Sequence, residues 1–174
     1  MTPPLLFVKA CALGNDFVIV DTDTLKENVC LKDLSIRLAD RRYGIGADQV
    51  IYPFPTPQTD SYKVRFFNAD GSEAESCGNG SRCVAKLLMQ FHHSQEIELQ
   101  TLGGNLKCNL LPDGHISLAF PKPSYHPIRD LHPHSIQSLP SAVYVDIGNP
   151  HLVCFVDNIE EVEKWGPEIE TYLY

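Results

Sequence analysis

The chain lacks any run of 18 apolar residues, which removes a helix that spans a membrane from the readings of the sequence. Its start, Met1-Thr2-Pro3-Pro4-Leu5, has no basic segment followed by a long apolar stretch, so no secretory signal is visible and a cytoplasmic protein is expected. Basic residues are scarce: 14 Lys and Arg stand against 22 Asp and Glu, for a formal charge of −8. That balance argues against a nucleic-acid surface, which needs clustered cations. A local site for a small anionic substrate stays compatible with it.

None of the six cysteines, at 11, 30, 77, 83, 108 and 154, forms a C-x-x-C pair, so the strongest zinc and thioredoxin signals are missing. Most of them are expected to be buried and inert. Neither Gly44-Ile45-Gly46-Ala47-Asp48-Gln49 nor Gly78-Asn79-Gly80-Ser81-Arg82-Cys83 has the third glycine of a dinucleotide fingerprint, and there is no G-x-x-x-x-G-K-[ST]. His126, His132 and His134 have no Cys or acid cluster at ligand spacing, so a solvated loop is expected there and no metal. No cofactor is implied.

What is present is a 174-residue chain, 43% hydrophobic, long enough to bury a core as one domain or two small ones. Apolar runs at 5–10 and 17–21 flank Gly14-Asn15-Asp16 and predict strand, turn, strand. Leu31, Leu34, Leu38 and Ala39 share one face of a helix over 31–41, and a brief strand follows at 50–52. The prolines from Pro53 to Pro57 predict an extended surface loop. A half-buried strand at 61–67 ends at the turn Asn68-Ala69-Asp70-Gly71, around which Asp70, Glu73 and Glu75 read as surface charges. Ser76 to Gly80 opens a helix with a core stripe of Val84, Leu87, Leu88 and Phe91. Strands are expected at 95–101, 105–111 and 115–120, then a Pro- and His-rich linker, a second strand-turn-strand at 142–157 and a short helix at 159–165. The fold class is α+β with mostly antiparallel sheet. The segment from Gly14 to Asp21 is echoed from Gly148 to Asp157: each is a Gly-Asn turn, β-branched residues and a closing Asp, as if one module occurred twice.

The chemistry concentrates at Cys77-Gly78-Asn79-Gly80. The first amides of a helix have no internal partner, and the macrodipole adds partial positive charge there. A thiol so placed is expected to have a lowered pKa. The two glycines would let a carboxylate approach the free amides. One short segment could then supply both a thiolate and an anion cradle; a buried cysteine beside a tight turn is the plainer reading.

Five segments in order resemble the diaminopimelate epimerase family: Leu13-Gly14-Asn15-Asp16-Phe17, Gly44 to Gln49, Phe67-Asn68-Ala69-Asp70-Gly71-Ser72-Glu73, Cys77 to Cys83, and Gly148-Asn149-Pro150-His151. The resemblance implies two pseudo-symmetric modules, each wrapping sheet around a central helix. It places the first at 1–121, a linker at 122–141 and the start of the second, incomplete module at 142–174. It implies a homodimeric, cofactor-independent isomerase of lysine and peptidoglycan synthesis that interconverts LL- and meso-diaminopimelate. By the resemblance, Cys77 is one of two catalytic cysteines and His151 tunes its pKa. Gly78 and Asn79 would hold the α-carboxylate, and Asn15, Gln49, Asn68 and Asn149 the other polar groups of the substrate.

The repeat also dates the departure from the family. Asn149 follows Asn15 by 134 positions and Cys77 follows it by 62, so a partner cysteine would fall near position 211. It is not among these residues, nor is the Glu-Arg pair expected for the distal carboxylate, and a shortened form of a longer protein is expected, inactive by itself. A glutamate or proline racemase of the same fold, and a non-catalytic half-enzyme, are the alternatives.

Overall fold

The structure is a computed structural model that describes residues 4–126, 142–163 and 166–167. His132 and His134 lie outside the described residues. Among the described residues eleven strands and the two longer α-helices are defined, and the chain falls into two compact units: residues up to 122 with 147–149, and residues 123–146 with those from 150 onward.

The first unit is a single sheet with a helix on each face. Its strands are β1 (Phe7–Ala12), β2 (Asn15–Val20), β3 (Gln49–Pro55), β4 (Ser61–Asn68), β5 (Glu73–Ala74), β6 (Glu96–Thr101), β7 (Gly104–Leu110) and β8 (Ile116–Ala119). The order is β1-β2-β3-β4-β6-β7-β8, with β5 beside the end of β4. Neighbours are antiparallel except β2–β3 and β4–β6, the two pairs joined through α1 (Leu31–Ala39) and α2 (Gly78–His92). The expected α+β class with mostly antiparallel sheet is what is found.

The side-chain period of two explains how this sheet divides its burial. Phe17, Ile19, Ile51, Val64 and Phe66 point toward α2 and join Val84, Ala85 and Met89 in one core. Val18, Val20, Val50, Tyr52 and Phe67 point the other way and pack with Ala39 and the apolar face of α1. Strands covered on both faces read as continuous apolar runs, which is why Phe17–Val20 shows no alternation. Each of the Val, Ile, Phe and Met side chains among them contributes about 1.5–3 kcal/mol relative to exposure. The outer strands have only the α2 side to fill, so Ile97, Leu99, Leu106 and Cys108 are buried while Glu96, Asn105 and Lys107 between them are exposed.

Three expectations change. Pro53 and Pro55 belong to β3 rather than to a surface loop. The parallel pairing with β2 ends at Ile51, and the Pro53 carbonyl accepts from Thr22 Oγ1 at 2.9 Å on that side, so the missing N–H falls on an edge with no ladder partner. In α2 the stripe runs through Ser81, Val84, Ala85 and Met89, while Phe91 is 74% exposed. Glu73 is no free surface charge: Arg65 grips it with two hydrogen bonds of 2.6 and 2.7 Å.

The second unit holds β9 (Ser124–His126), β10 (Ala142–Asp146) and β11 (Pro150–Cys154), antiparallel in the order β11-β10-β9. The segment expected to be linker thus contributes a strand at its start. Residues 161–163 form a helical turn. The two Gly-Asn hairpins differ in their turns. Ala12 pairs with Asn15 across the two residues Leu13 and Gly14, both at positive φ, whereas Asp146 pairs with Pro150 across Ile147, Gly148 and Asn149.

Candidate active site

Strand parity decides which polar side chains meet α2. Asn15 precedes Phe17 by two, Gln49 precedes Ile51 by two, and Asn68 follows Phe66 by two, so all three share the face of the sheet that carries α2. The register pairs Gln49 with Phe17 on one side and with Asn68 on the other, placing them at one end of the sheet. Gln49 Nε2 donates to Asn68 Oδ1 at 2.8 Å, and Asn68 Nδ2 donates to Ser72 Oγ at 3.0 Å. Asn79 Nδ2 in the first turn of α2 donates to Asn15 Oδ1 at 2.8 Å. Four residues marked by sequence as substrate groups therefore form two hydrogen-bonded amide pairs. Gln49 Oε1 is buried and has no hydrogen-bond partner among the described residues. A buried acceptor left open is costly unless something fills it.

Cys77 is the N-cap of α2, in extended backbone conformation, and its Sγ accepts from the Gly80 amide at 3.4 Å. The expected lowering of its pKa is not what the structure gives. Burial pushes the Cys77 thiol up, and the amides of Gly80 and Asn79 pull it down by less. The thiol is the resting species. The part assigned to Gly80 changes as well. Added as a Cβ, an atom on Gly80 would lie 2.9 Å from Ile51 Cδ1 and 3.2 Å from Phe66 Cε1, so this glycine seats α2 on the sheet. Gly78 faces the Phe120 ring, 3.1 Å from where its Cβ would be.

The other cysteines are less buried than expected. Cys108 is fully buried, and its pKa is pushed up to about 12 by burial, but Cys11 and Cys30 are exposed. Cys83 is close enough to Cys11 and Cys77 for their charges to add to the effect of burial in raising its pKa. No cluster of three metal-ligating side chains occurs among the described residues.

Asn149 lies in the turn of the β10–β11 hairpin, and His151 on β11 is exposed and registered opposite Val145.

Sequence reasoning missed a charged cluster on the opposite face of the same sheet end. Asp16 and Asp48 exchange contacts: the Asp16 amide donates to Asp48 Oδ2 at 3.1 Å, and the Asp48 amide donates to Asp16 Oδ1 at 2.9 Å. Arg41 Nη2 bridges both carboxylates at 2.7 and 2.8 Å, and Lys9 Nζ binds Asp16 at 2.8 Å and the Gly46 carbonyl. The Arg41 guanidinium, then the Lys9 ammonium, hold the Asp16 carboxyl far below the usual carboxylate range. The segment after α1 sets this up: Ile45 and Gly46 both donate to the Leu38 carbonyl at 3.0 Å, and Ala47 to that of Ala39 at 3.1 Å. Gly44 lies against the Arg37 carbonyl, where a Cβ would sit 2.1 Å away. The acids that follow Asn15 and precede Gln49 were the available signal.

The fold is shared with solved structures. A hydroxyproline epimerase from Agrobacterium vitis superposes with a TM-score of 0.65 at 14% identity, over 93% of this chain and 53% of that one. A PhzF-family phenazine biosynthesis protein from Bacillus anthracis does so at 0.62 and 18%, over 91% and 57%. At such identities the likeness is one of fold alone. In sequence, residues 7–124 match the family described as diaminopimelate epimerase. Proteins of that name from Carboxydothermus hydrogenoformans and a Synechocystis species are 36% and 37% identical over 95% and 97% of the chain. The chain belongs to the diaminopimelate epimerase family. It spans 66% of the length of these two relatives.

Proposed function

We propose that these residues form the half-site of a cofactor-independent diaminopimelate epimerase that carries one of its two proton-transfer cysteines, Cys77. The observation that carries the reading is the thiol at the N-cap of α2, set beside two amide pairs in a chain that belongs to this family. Epimerisation needs a base on one face of the α-carbon and an acid on the other. As resting thiol, Cys77 suits the acid role directly, and it becomes the base once its proton leaves. The free amides at the start of α2, at Gly78 and Asn79, would stabilise the charge that develops on the α-carboxylate. Gln49 Oε1 supplies an open acceptor for an ammonium hydrogen, with Asn15 and Asn68 as its neighbours in the polar shell. Asn149 and His151 keep their proposed parts as substrate group and cysteine-tuning group.

In this reading the group on the opposite face is not among the 174 residues, and neither is a second C-G-x-G segment. A single thiol returns a proton only to the face it came from. The chain alone therefore does not invert diaminopimelate, and a cytoplasmic homodimer is the working form of the whole enzyme. No helix among the described residues is long and apolar enough to cross a membrane. The test is exchange of the substrate α-proton in deuterium oxide, followed by proton NMR, with chiral chromatography for the meso form. Cys77→Ala should abolish exchange and Cys83→Ala should retain most of it. Exchange within tenfold of the parent after Cys77→Ala overturns the assignment, and so does meso product from the 174-residue chain at about 1 per second.

A further inference from the structure

The amide pair between Asn15 and Asn79 has a direction, and the structure shows what imposes it. An asparagine side chain can present either its NH2 or its oxygen to a neighbour, and the two ends have nearly the same shape. A carboxylate accepts only. Asn15 Nδ2 points to Asp48 Oδ2 at 3.4 Å, so Asn15 must turn its oxygen to α2, where Asn79 Nδ2 donates to it at 2.8 Å. Asn79 in turn is left with its own oxygen free of this pair. The orientation of Asn79 in the first turn of α2 thus follows from the charge on Asp48.

Asp48 could not hold that place by itself. Its carboxylate sits against that of Asp16, each bonded to the other's backbone amide, and two such charges repel. Arg41 resolves this with a single nitrogen shared between them, at 2.7 Å from Asp16 Oδ1 and 2.8 Å from Asp48 Oδ1, while its Nη1 takes Asp16 Oδ2 at 3.0 Å. The guanidinium side chain is 58% exposed and that of Asp48 41%, so these pairs add little to stability. What they fix is geometry.

We infer that Arg41 is a positioning residue for the site: through Asp48 it sets which end of the Asn15 amide faces α2, and through Asn15 the orientation of Asn79. Its relevance to substrate rests on the reading of Asn15 and Asn79 as substrate groups, but its test does not. The planar fork adds what a lysine ammonium lacks: an ammonium could stand in for the shared nitrogen, but not for the second contact of Nη1 with Asp16 Oδ2 that fixes the direction of the first.

The experiment is side-chain amide NMR on the 15N-labelled 174-residue chain without substrate. Asn15 and Asn79 resonances are assigned through Asn15→Ala and Asn79→Ala. Arg41→Ala and Asp48→Asn should each displace both NH2 resonances from their parent positions. Arg41→Lys should restore Asn79 incompletely. Arg37→Ala, which removes the same charge from the exposed face of α1, should leave both where they were. Unmoved Asn15 and Asn79 resonances in Arg41→Ala and in Asp48→Asn, with the backbone spectrum intact, would overturn the inference. Equal displacement in Arg37→Ala would do the same by reducing the effect to net charge. Failure of the Cys77 assignment leaves this outcome untouched.

Discussion

Gly80 sits so close to Ile51 that a Cβ on the one would lie 2.9 Å from Cδ1 of the other. Helix propensity favours alanine over glycine by about 1 kcal/mol. Overpacking a filled core costs about 1–3 kcal/mol. The Ile51 terminal methyl can shift, but Phe66 and Phe17 stand 3.2 and 3.4 Å away behind it. Gly80→Ala should therefore destabilise the chain by about 1 kcal/mol in urea unfolding. Adding Ile51→Val, which removes the clashing methyl, should cost less in the Gly80→Ala background than in the parent. A Gly80→Ala chain more stable than the parent would show that α2 is not seated by this contact.

The thiol of Cys77 should be slow to react at neutral pH. Burial raises its pKa, so the folded state favours the protonated form. The linkage has one sign for Cys77, Cys83 and Cys108, all raised by burial. Their contribution to stability is present below the ordinary thiol pKa and is lost as pH rises through the folded values. Iodoacetamide labelling with peptide mapping should modify the exposed Cys11 and Cys30 well before Cys77 at pH 7, and unfolding in urea should come at lower denaturant as the buffer moves above pH 9. Labelling of Cys77 first would mean that the amides outweigh burial.

Two apolar residues of similar rank in the sequence should behave oppositely. Phe91 is 74% exposed on α2, and Leu99 on β6 is fully buried. Phe91→Ala should change stability by no more than about 0.5 kcal/mol. Leu99→Ala should cost about 2–5 kcal/mol. Comparable losses in thermal or urea unfolding would place Phe91 in a packed interface.

What was legible in the sequence is what local chemistry determines. The alternation of β6 and β7 with a solvated face, the Gly14 and Gly71 turns at positive φ, and the apolar face of α1 all follow from periodicity and backbone freedom. Pro53 was misplaced because a missing N–H matters only against a neighbour strand, and the neighbour is set by tertiary pairing. Phe91 was placed in the core because three residues either way suffice to shift a stripe on a helix whose partners were unknown. At the site, Cys77 was marked by its place at a helix start and the amide residues by the motif resemblance, and strand parity then explains why Asn15, Gln49 and Asn68 share one face of the sheet. The Cys77 pKa was missed because a position at a helix start reveals the amides but not the depth of burial. Arg41 was missed because its partners, Asp16 and Asp48, lie 25 and 7 residues away and meet it only once β2 and β3 are side by side.

The two crossovers through α1 and α2 step in the same direction along the sheet, from β2 to β3 and from β4 to β6. Between them lies one antiparallel step, β3 to β4, which reverses the direction of travel. A half-turn about the line of that step maps one crossover onto the other, so with the helices on opposite faces both have the same handedness, as crossovers do in general. Chirality therefore assigns the faces. The ion cluster around Arg41 and the thiol of Cys77 are back to back across one sheet because a single polarity reversal separates two turns of one hand. A second reversal between them would have brought both helices to the same side.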